Sequence, residues 1–174
     1  MIKIKKATIK DIKTLSIVSR KAFYVPHKDV IPEDIMEAYI RNSFNEETLL
    51  EEVTNEDFQY NLLYKNDVLA GFSKIIINSK NININEENVT KMERLYLLEE
   101  FYGMGLGHQL FDYNLKLAKE ENQKGIWLYV WIKNYRALDF YKKAGFKKIA
   151  DYYFPISETE TRINDVLYLE FWFR

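Results

Sequence analysis

The stretch Tyr102-Gly-Met-Gly-Leu-Gly-His108 lies between a strand pattern and a helix pattern. Its glycines let the backbone approach another molecule closely, and the N–H groups at the start of the following helix would attract an anion. A phosphate or pyrophosphate group is therefore the expected ligand of this turn. The spacing matches neither a P-loop, because Gly-Lys-Ser/Thr is absent, nor a dinucleotide fingerprint, in which the third glycine comes later. A tight strand-to-helix connection without a ligand is the alternative.

The elements around this turn follow from the hydrophobic pattern. Residues 91–98 predict a strand, and residues 126–131, Ile-Trp-Leu-Tyr-Val-Trp, are almost continuously apolar, as in a strand buried on both faces. Residues 105–122 predict a helix with one apolar stripe, formed by Leu106, Leu110, Tyr113 and Leu117. Three further elements are expected: a helix over residues 134–144 and strands over residues 146–154 and 166–173.

The first quarter of the chain predicts a strand followed by a helix. The strand covers residues 3–7. Thr8 and Asp11 resemble a capping box, so we expect the helix to begin there and to run to about Tyr24, where Pro26 ends it.

Two more helices and a hairpin complete the predicted elements. Pro32 suits a first helical position and opens the second helix, whereas Asn45 caps the third. Alternating apolar residues on both sides of Lys65-Asn-Asp67 predict a hairpin, and the biased segment 81–88 predicts a loop. These patterns together predict an α/β (α+β) fold with a mixed sheet of about seven strands and four or five helices.

Composition narrows the function classes. The 174 residues, 47% of them hydrophobic, can bury one substantial core, which predicts a single domain over residues 1–174. The 25 Lys and Arg nearly balance the 26 Asp and Glu, so no basic excess indicates a nucleic-acid partner. The lack of cysteine excludes disulfides, thiolate nucleophiles and cysteine-ligated metals, and His27 and His108 are too isolated for a metal site. Because no segment resembles a signal peptide or a membrane span, we expect a cytoplasmic protein with no membrane partner.

A second motif, Asn134-Tyr-Arg-Ala-Leu-Asp-Phe-Tyr-Lys-Lys-Ala-Gly-Phe146, follows the buried strand. Asn134 is a good N-cap, and Tyr141 lies two helical turns later on nearly the same face. By itself, Tyr141 would be interpreted as an amphipathic core tyrosine. Its occurrence together with the glycine turn favours a functional role.

With these two motifs, the chain resembles the GCN5-related N-acetyltransferase (GNAT) family. Within that family it is similar to the PaiA type of polyamine N-acetyltransferase, and the resemblance extends over nearly the whole chain. The similar strings are Glu93-Arg-Leu-Tyr96, Gly105-Leu-Gly107, Ile126-Trp-Leu128, Val130-Trp131, Lys133-Asn134 and Phe140-Tyr-Lys-Lys143, with Ala38-Tyr39 and Ser43-Phe-Asn45 earlier in the chain. The resemblance implies a GNAT fold in which splayed parallel strands hold acetyl-CoA. One position differs, because the family commonly carries Gln or Arg where this chain has Tyr102.

The resemblance also implies which groups bind acetyl-CoA. Asn134 would cap its helix and touch the cofactor backbone beside Tyr141, and Lys143 would contact a phosphate unless it is simply solvated. The main chain would bind the rest: Leu95, Tyr96 and Leu97 along the pantetheine chain, with one N–H polarising the carbonyl, and Gly103, Met104, Gly105, Leu106, Gly107 and His108 around the pyrophosphate.

The implied chemistry is acetyl transfer to an amine. Tyr141 would be the general acid, because a phenol with a pKa of about 10 protonates a thiolate with a pKa of about 8.5 only slightly uphill. Glu93 would be the general base, directly or through a water molecule. The alternative for Glu93 is an ordinary strand carboxylate paired with a lysine such as Lys91.

The implied acceptor is a small polyamine such as spermidine or spermine. Glu33 and Glu37 in the second predicted helix would bind its ammonium groups, although acidic runs are usually solvated helix faces. Two other functions stay open: acetylation of a protein N-terminus or lysine, and a non-catalytic CoA-binding regulatory module. The aromatic residues 167–173 could form an internal strand or contribute to a homodimer.

Overall fold

The structure is a computed structural model that describes residues 1–171. Within these residues, seven strands form one mixed sheet in the order β1-β2-β3-β4-β5-β7-β6. The strands are β1 (Ile2–Lys6), β2 (Phe58–Lys65), β3 (Val68–Ile76), β4 (Thr90–Leu97), β5 (Gly125–Trp131), β6 (Lys147–Pro155) and β7 (Thr161–Glu170). The helices are α1 (Ile12–His27), α2 (Glu33–Ser43), α3 (Glu46–Thr54), α4 (Leu106–Glu120) and α5 (Tyr135–Lys143). The predicted mixed sheet of about seven strands with four or five helices is confirmed.

The described residues group into two compact units. The first contains residues 1–75 and 94–114, and the second contains residues 76–93 and those that follow 114. Strand β4 and helix α4 contribute residues to both units. The single domain over residues 1–174 stays a prediction. No helix in the described part of the chain combines the length and the apolar character needed to cross a lipid bilayer.

The core of the first unit lies between α1, α3 and the sheet. Buried apolar residues of α1, among them Leu15 and Val18, pack with Leu62 of β2 and Phe72 of β3. Strand β3 can approach β4 closely only because Gly71 has no side chain: a Cβ there would lie 2.3 Å from the Tyr96 carbonyl oxygen. Gly71 therefore fixes the spacing of these two strands.

Local capping signals in the first unit form as the sequence predicts. The Thr8 N–H and hydroxyl donate to the Asp11 carboxylate, both at 3.0 Å. The residues that follow Thr8 form a short 3₁₀ helix, Ile9–Asp11, and α1 begins after it, later than predicted. The Asn45 side chain accepts from the Thr48 N–H at 2.8 Å and caps α3. Asn66 and Asp67 at the hairpin turn have φ of 50° and 63°. Positive φ at both central residues is typical of the two-residue hairpin turn whose twist matches that of the flanking strands.

The predicted end of α1 is wrong. Pro26 lies inside the helix, which continues to His27. A proline removes one helical hydrogen bond, but here the last turn is held by other contacts. The His27 ring stacks on Phe23 with centroids 4.3 Å apart, its Nδ1 bonds the Phe23 carbonyl at 2.7 Å, and the Lys28 N–H donates to Tyr24. Pro32 is the N-cap of α2, one position before the predicted one.

The second unit is built around β5. Strands β4 and β5 run parallel, with Thr90 opposite Ile126 and Lys91 opposite Trp127. On its other side β5 is antiparallel to β7, which in turn pairs with β6. The predicted burial of β5 on both faces is confirmed, because most of its residues are buried.

The predicted start of β7 is also wrong, because the strand begins at Thr161 instead of Val166. The polar first half of β7 forms a strand because its backbone pairs with a neighbouring strand on each side. Asn164, for example, lies opposite Trp131 of β5 and opposite Tyr152 of β6. The strand ends at Glu170, and the predicted positions 172 and 173 lie outside the described residues.

A largely buried ionic network joins α3 to the sheet in the first unit. Glu52 of α3 pairs with Lys74 of β3 at 2.8 Å and lies 3.7 Å from Arg94 of β4. The Tyr60 hydroxyl donates to Glu52 and accepts from Arg94 at 2.6 Å. The Lys74 side chain is only 3% exposed and that of Arg94 only 9%. One carboxylate thus lies between two cations and a phenol that have lost most of their water.

Glu52→Gln is expected to lower the free energy of unfolding by about 3 kcal/mol, because it removes the carboxylate between two buried cations. Urea unfolding followed by circular dichroism measures this. Glu120→Gln is the matched control, since the Glu120–Lys116 pair is exposed on α4 and should contribute little. Equal stabilities of the two variants would contradict the structural role of the network.

Candidate functional site

The glycine turn presents its main chain to open space. Gly103 and Gly105 both have φ of 73°, a conformation that side-chain-bearing residues rarely adopt. A Cβ added to either glycine would meet no atom within 4 Å. Helix α4 begins at Leu106, and Gly107 and the exposed His108 form its first turn. Backbone N–H groups, a helix N-terminus and free space therefore coincide, as an anion site requires.

The segment Leu95–Leu97 forms the end of β4, and all three of its side chains are partly buried. Tyr96 packs into an aromatic group of the first unit, with its ring centroid 5.8 Å from Phe72 and 6.0 Å from Phe23. Leu95 and Leu97 pack against the buried cluster that contains Leu106. Because the side chains are engaged in this way, any ligand along the segment would contact mainly its main chain.

Helix α5 and its N-cap carry three of the predicted site residues. The Asn134 side chain accepts from the Ala137 N–H at 3.2 Å, so the predicted N-cap is confirmed. Lys143 forms an ion pair with Asp139 at 2.7 Å, and its side chain is 71% exposed.

Tyr141 lies between two aromatic rings in this helix, 5.2 Å from Phe140 and 5.3 Å from Phe146 by centroid distance. Its side chain keeps some exposed surface, but enough of it is enclosed that burial raises the pKa of the phenol well above its ordinary value. The hydroxyl is therefore protonated at every physiological pH. It can donate a proton, and it does not act as a phenolate.

Glu93 of β4 pairs with Lys91 at 3.2 Å, which is the alternative that the sequence left open for it. The Lys91 ammonium also lies over two rings of β5, 5.4 Å from the Trp127 centroid and 5.2 Å from the Tyr129 centroid. We call the group of Glu93, Trp127 and Tyr129 the Lys91 box. Sequence reasoning named the ion pair and missed the rings, although residues 127 and 129 alternate onto one face of a strand whose register places Trp127 opposite Lys91.

Glu33 and Glu37 lie in the first two turns of α2, four residues apart and both exposed. They share one helix face, as their spacing implies. The buried face of α2 carries Met36. The structure thus joins the predicted residues into local groups: a turn, a strand segment, one helix with the acid candidate, and an exposed acidic pair.

Comparison with protein families gives a match to the model of the Acetyltransferase (GNAT) family over residues 26–146. An uncharacterized N-acetyltransferase of Lactobacillus delbrueckii subsp. lactis is 28% identical over 158 residues, which cover 90% of this chain and 91% of the relative. The spermidine N(1)-acetyltransferase of Thermoplasma acidophilum is 28% identical over 150 residues, 84% of this chain and 88% of the relative.

The fold is similar to that of a solved relative. The crystal structure of the PaiA N-acetyltransferase from Thermoplasma acidophilum, in complex with coenzyme A, matches with a TM-score of 0.79 and 25% sequence identity. The match covers 98% of this chain and 99% of that one.

Alkaline titration tests the environment of Tyr141. Compared with the parent, Tyr141→Phe is expected to lack one phenol that ionises well above pH ~10, because burial disfavours its phenolate. The ultraviolet difference spectrum between parent and variant measures this ionisation. Tyr135→Phe is the control, since Tyr135 lies in the same helix and is 74% exposed. A phenol titrating at or below pH ~10 in the Tyr141 difference would contradict the enclosed position.

Proposed function

Because the chain belongs to the GNAT family of acetyltransferases and is an acetyl-CoA-dependent N-acetyltransferase, we propose that it acetylates a primary amine of a small polyamine. The observation that carries this choice of acceptor is the likeness to the spermidine N(1)-acetyltransferase of Thermoplasma acidophilum over most of both chains. The similar fold of the PaiA enzyme supports it. The cytoplasmic location of the protein stays a prediction.

The glycine turn is the proposed pyrophosphate site of acetyl-CoA. The residues fit this group, because the main chain at Gly103 and Gly105 faces open space just before the N-terminus of α4. The proposed contacts are the backbone N–H groups of Gly103, Met104, Gly105, Leu106, Gly107 and His108, so Tyr102 in place of the family's Gln or Arg removes none of them. We further propose that the main chain of Leu95, Tyr96 and Leu97 binds the pantetheine chain, and that Asn134 and Lys143 contact the cofactor from α5.

The proposed chemistry divides proton transfer between two side chains. Acetyl-CoA supplies the acetyl group as a thioester, which an uncharged amine can attack. Glu93 accepts a proton from the acceptor ammonium, directly or through a water molecule, so that the amine becomes a nucleophile. A main-chain N–H of the segment Leu95–Leu97 donates to the carbonyl oxygen and stabilises its developing charge. As the C–S bond breaks, Tyr141 donates its hydroxyl proton to the departing thiolate, and the second proton that the acetylated nitrogen loses restores the Tyr141 hydroxyl.

The raised pKa of Tyr141 fits this role. A general acid must hold its proton until the leaving group develops charge, and a phenol enclosed by Phe140 and Phe146 holds it throughout the neutral range. A thiolate formed in the same enclosed environment would also be a stronger base than in water, because burial disfavours its charge. This offsets part of the cost that the raised pKa of Tyr141 adds to the proton transfer.

Gly105→Ala is expected to weaken acetyl-CoA binding by at least about tenfold, because a methyl group would occupy the space over the turn. The positive φ means that the substitution also strains the backbone by about 1 kcal/mol. Gly145→Ala is the matched control, since Gly145 has φ of 94° and lies outside the turn. Calorimetry that finds equal cofactor affinity in the two variants would contradict the pyrophosphate assignment.

Tyr141→Phe keeps the aromatic ring and the packing of α5 but removes the hydroxyl group whose proton would be transferred. Single-turnover acetyl transfer should slow by roughly 10²- to 10⁴-fold, and the dissociation constant of acetyl-CoA should scarcely change. Tyr135→Phe, the exposed tyrosine of the same helix, should transfer at the parent rate. If Tyr141→Phe loses thermal stability but transfers at the parent rate per folded molecule, Tyr141 is a packing residue and not the acid.

An acetyl-CoA consumption screen tests the acceptor. Spermidine or spermine should give the highest kcat/KM among polyamines, amino acids, aminoglycosides and peptides with a free N-terminus or lysine. Preference for a peptide would indicate a protein acetyltransferase instead. Cofactor binding without accelerated thioester cleavage by any amine would indicate a regulatory module.

The exposed acidic pair of α2 is the proposed polyamine contact. Replacing Glu33 and Glu37 together by Gln should raise the polyamine KM by roughly three- to tenfold and leave the acetyl-CoA KM unchanged, because only the acceptor is cationic along its chain. Glu120→Gln combined with Glu121→Gln makes the same change in net charge on α4 and just after it, and should alter neither KM. Equal KM shifts in the two double variants would show that the effect arises from net charge alone and would contradict the proposed polyamine contact.

A further inference from the structure

The Lys91 box holds an alkylammonium group that belongs to the protein itself. The Lys91 Nζ lies 3.2 Å from Glu93 Oε1, and the rings of Trp127 and Tyr129 lie within 5.4 Å of it. The side chains of Lys91 and Glu93 are only 19% and 27% exposed. A carboxylate and two aromatic faces around one ammonium form the arrangement by which proteins recognise cationic ligands.

The rings of the box are held in place before any ligand arrives. The Trp127 Nε1–H donates to the Ser79 carbonyl at 2.7 Å, and Trp127 is 3% exposed. Tyr129 stacks on Tyr152 with centroids 4.0 Å apart and an interplanar angle of 9°. Burial, together with the neighbouring Tyr152, raises the pKa of Tyr129, so its ring stays neutral. A ligand that replaced the Lys91 ammonium would therefore meet a preformed site.

The occupant identifies the class of ligand. A lysine side chain is a four-carbon stem that ends in a primary ammonium, so chemically it is an aminobutyl arm. Any ligand with a primary amine on a flexible alkyl chain can make the same ion pair with Glu93 and the same contacts with the two rings. Glu93 is also the residue proposed to take the proton from the acceptor.

We propose that the Lys91 box is the subsite for the acceptor's reacting primary ammonium, and that Lys91 is an internal occupant which the substrate displaces. This inference rests on the proposed function, because it assigns a binding subsite to the amine that is acetylated in that reaction. Lys91 then sets acceptor affinity, since each alkylammonium ligand competes with a tethered ammonium of the same chemistry.

Competition with a tethered group has a simple arithmetic. If Lys91 occupies the box about nine-tenths of the time, the apparent dissociation constant of an alkylammonium ligand is about tenfold higher than for an open box. Removing the Lys91 side chain should recover that factor. The gain should depend on Glu93, because the carboxylate is the partner that both ammonium groups share.

The test titrates butylamine and spermidine into the protein without acetyl-CoA, by calorimetry and by the intrinsic tryptophan fluorescence of the protein, to which Trp127 contributes. Lys91→Ala should bind both amines about tenfold more tightly than the parent. Lys80→Ala is the matched control, because it makes the same change in net charge by opening the exposed Lys80–Glu87 pair, and it should bind as the parent does. Lys91→Ala combined with Glu93→Gln should lose the gain.

Circular dichroism shows whether Lys91→Ala is folded, and Lys91→Met provides a second variant that keeps the stem of the side chain but has no ammonium. Lys91→Met should also bind the amines more tightly than the parent, although by a smaller factor, because its stem still covers the rings. Unchanged or weaker amine binding in the folded variants, or a gain that persists with Glu93→Gln, would overturn the proposal.

Measurements of enzymatic turnover distinguish a failure of this inference from a failure of the function on which it rests. If polyamines are acetylated, the acceptor KM should fall in Lys91→Ala while the acetyl-CoA KM stays constant. An unchanged acceptor KM with active parent enzyme would overturn the subsite and leave the polyamine function standing. Tighter amine binding by Lys91→Ala in a protein that acetylates peptides instead would retain the ammonium box and reject the polyamine acceptor.

Discussion

The carboxylate of Glu52 is the interaction on which the arrangement of the first unit depends. It lies between Lys74 and Arg94 and accepts from Tyr60, so one side chain of α3 joins three neighbouring strands. Buried ion pairs often add little net stability compared with an apolar core, but they tolerate the loss of a partner poorly. The network therefore acts mainly through specificity: α3 has one position on the sheet at which both cations are neutralised. Arg94 also fixes the strand that continues into the segment Leu95–Leu97.

Features that depend on a few consecutive residues were predictable from the sequence. Asn45 and Asn134 cap their helices because a short amide reaches the third N–H of whatever helix follows. The positive φ at Asn66 and Asp67 likewise follows from the residue types at a two-residue hairpin. The glycine turn belongs to the same class, and so its conformation, unlike its ligand, could be inferred without knowledge of the rest of the chain.

Features that depend on distant residues were not predictable. The apolar stripe of α4 was expected to include Tyr113 and Leu117, which are only partly buried. Asn114, in contrast, is fully buried, and its amide oxygen accepts from Asn61 and Ser73. A polar residue in that place looks solvated in the sequence, because its partners lie on two strands far away along the chain. The polar start of β7 and the rings around Lys91 were missed for the same reason: each is stabilised by strands that the local pattern does not contain.

The absence of a side chain at Gly71 has a consequence for how the chain tolerates mutation. A single methyl group there would lie 2.3 Å from the Tyr96 carbonyl oxygen and 2.7 Å from a Leu97 methyl group, inside a fully packed strand pair. Neither neighbour is the free end of a mobile surface chain, so the two strands would have to separate. A library of random codons at position 71, selected for acetyl transfer, would therefore return glycine almost alone. Such a result would mark residue 71 as essential although it contributes no functional group to the reaction.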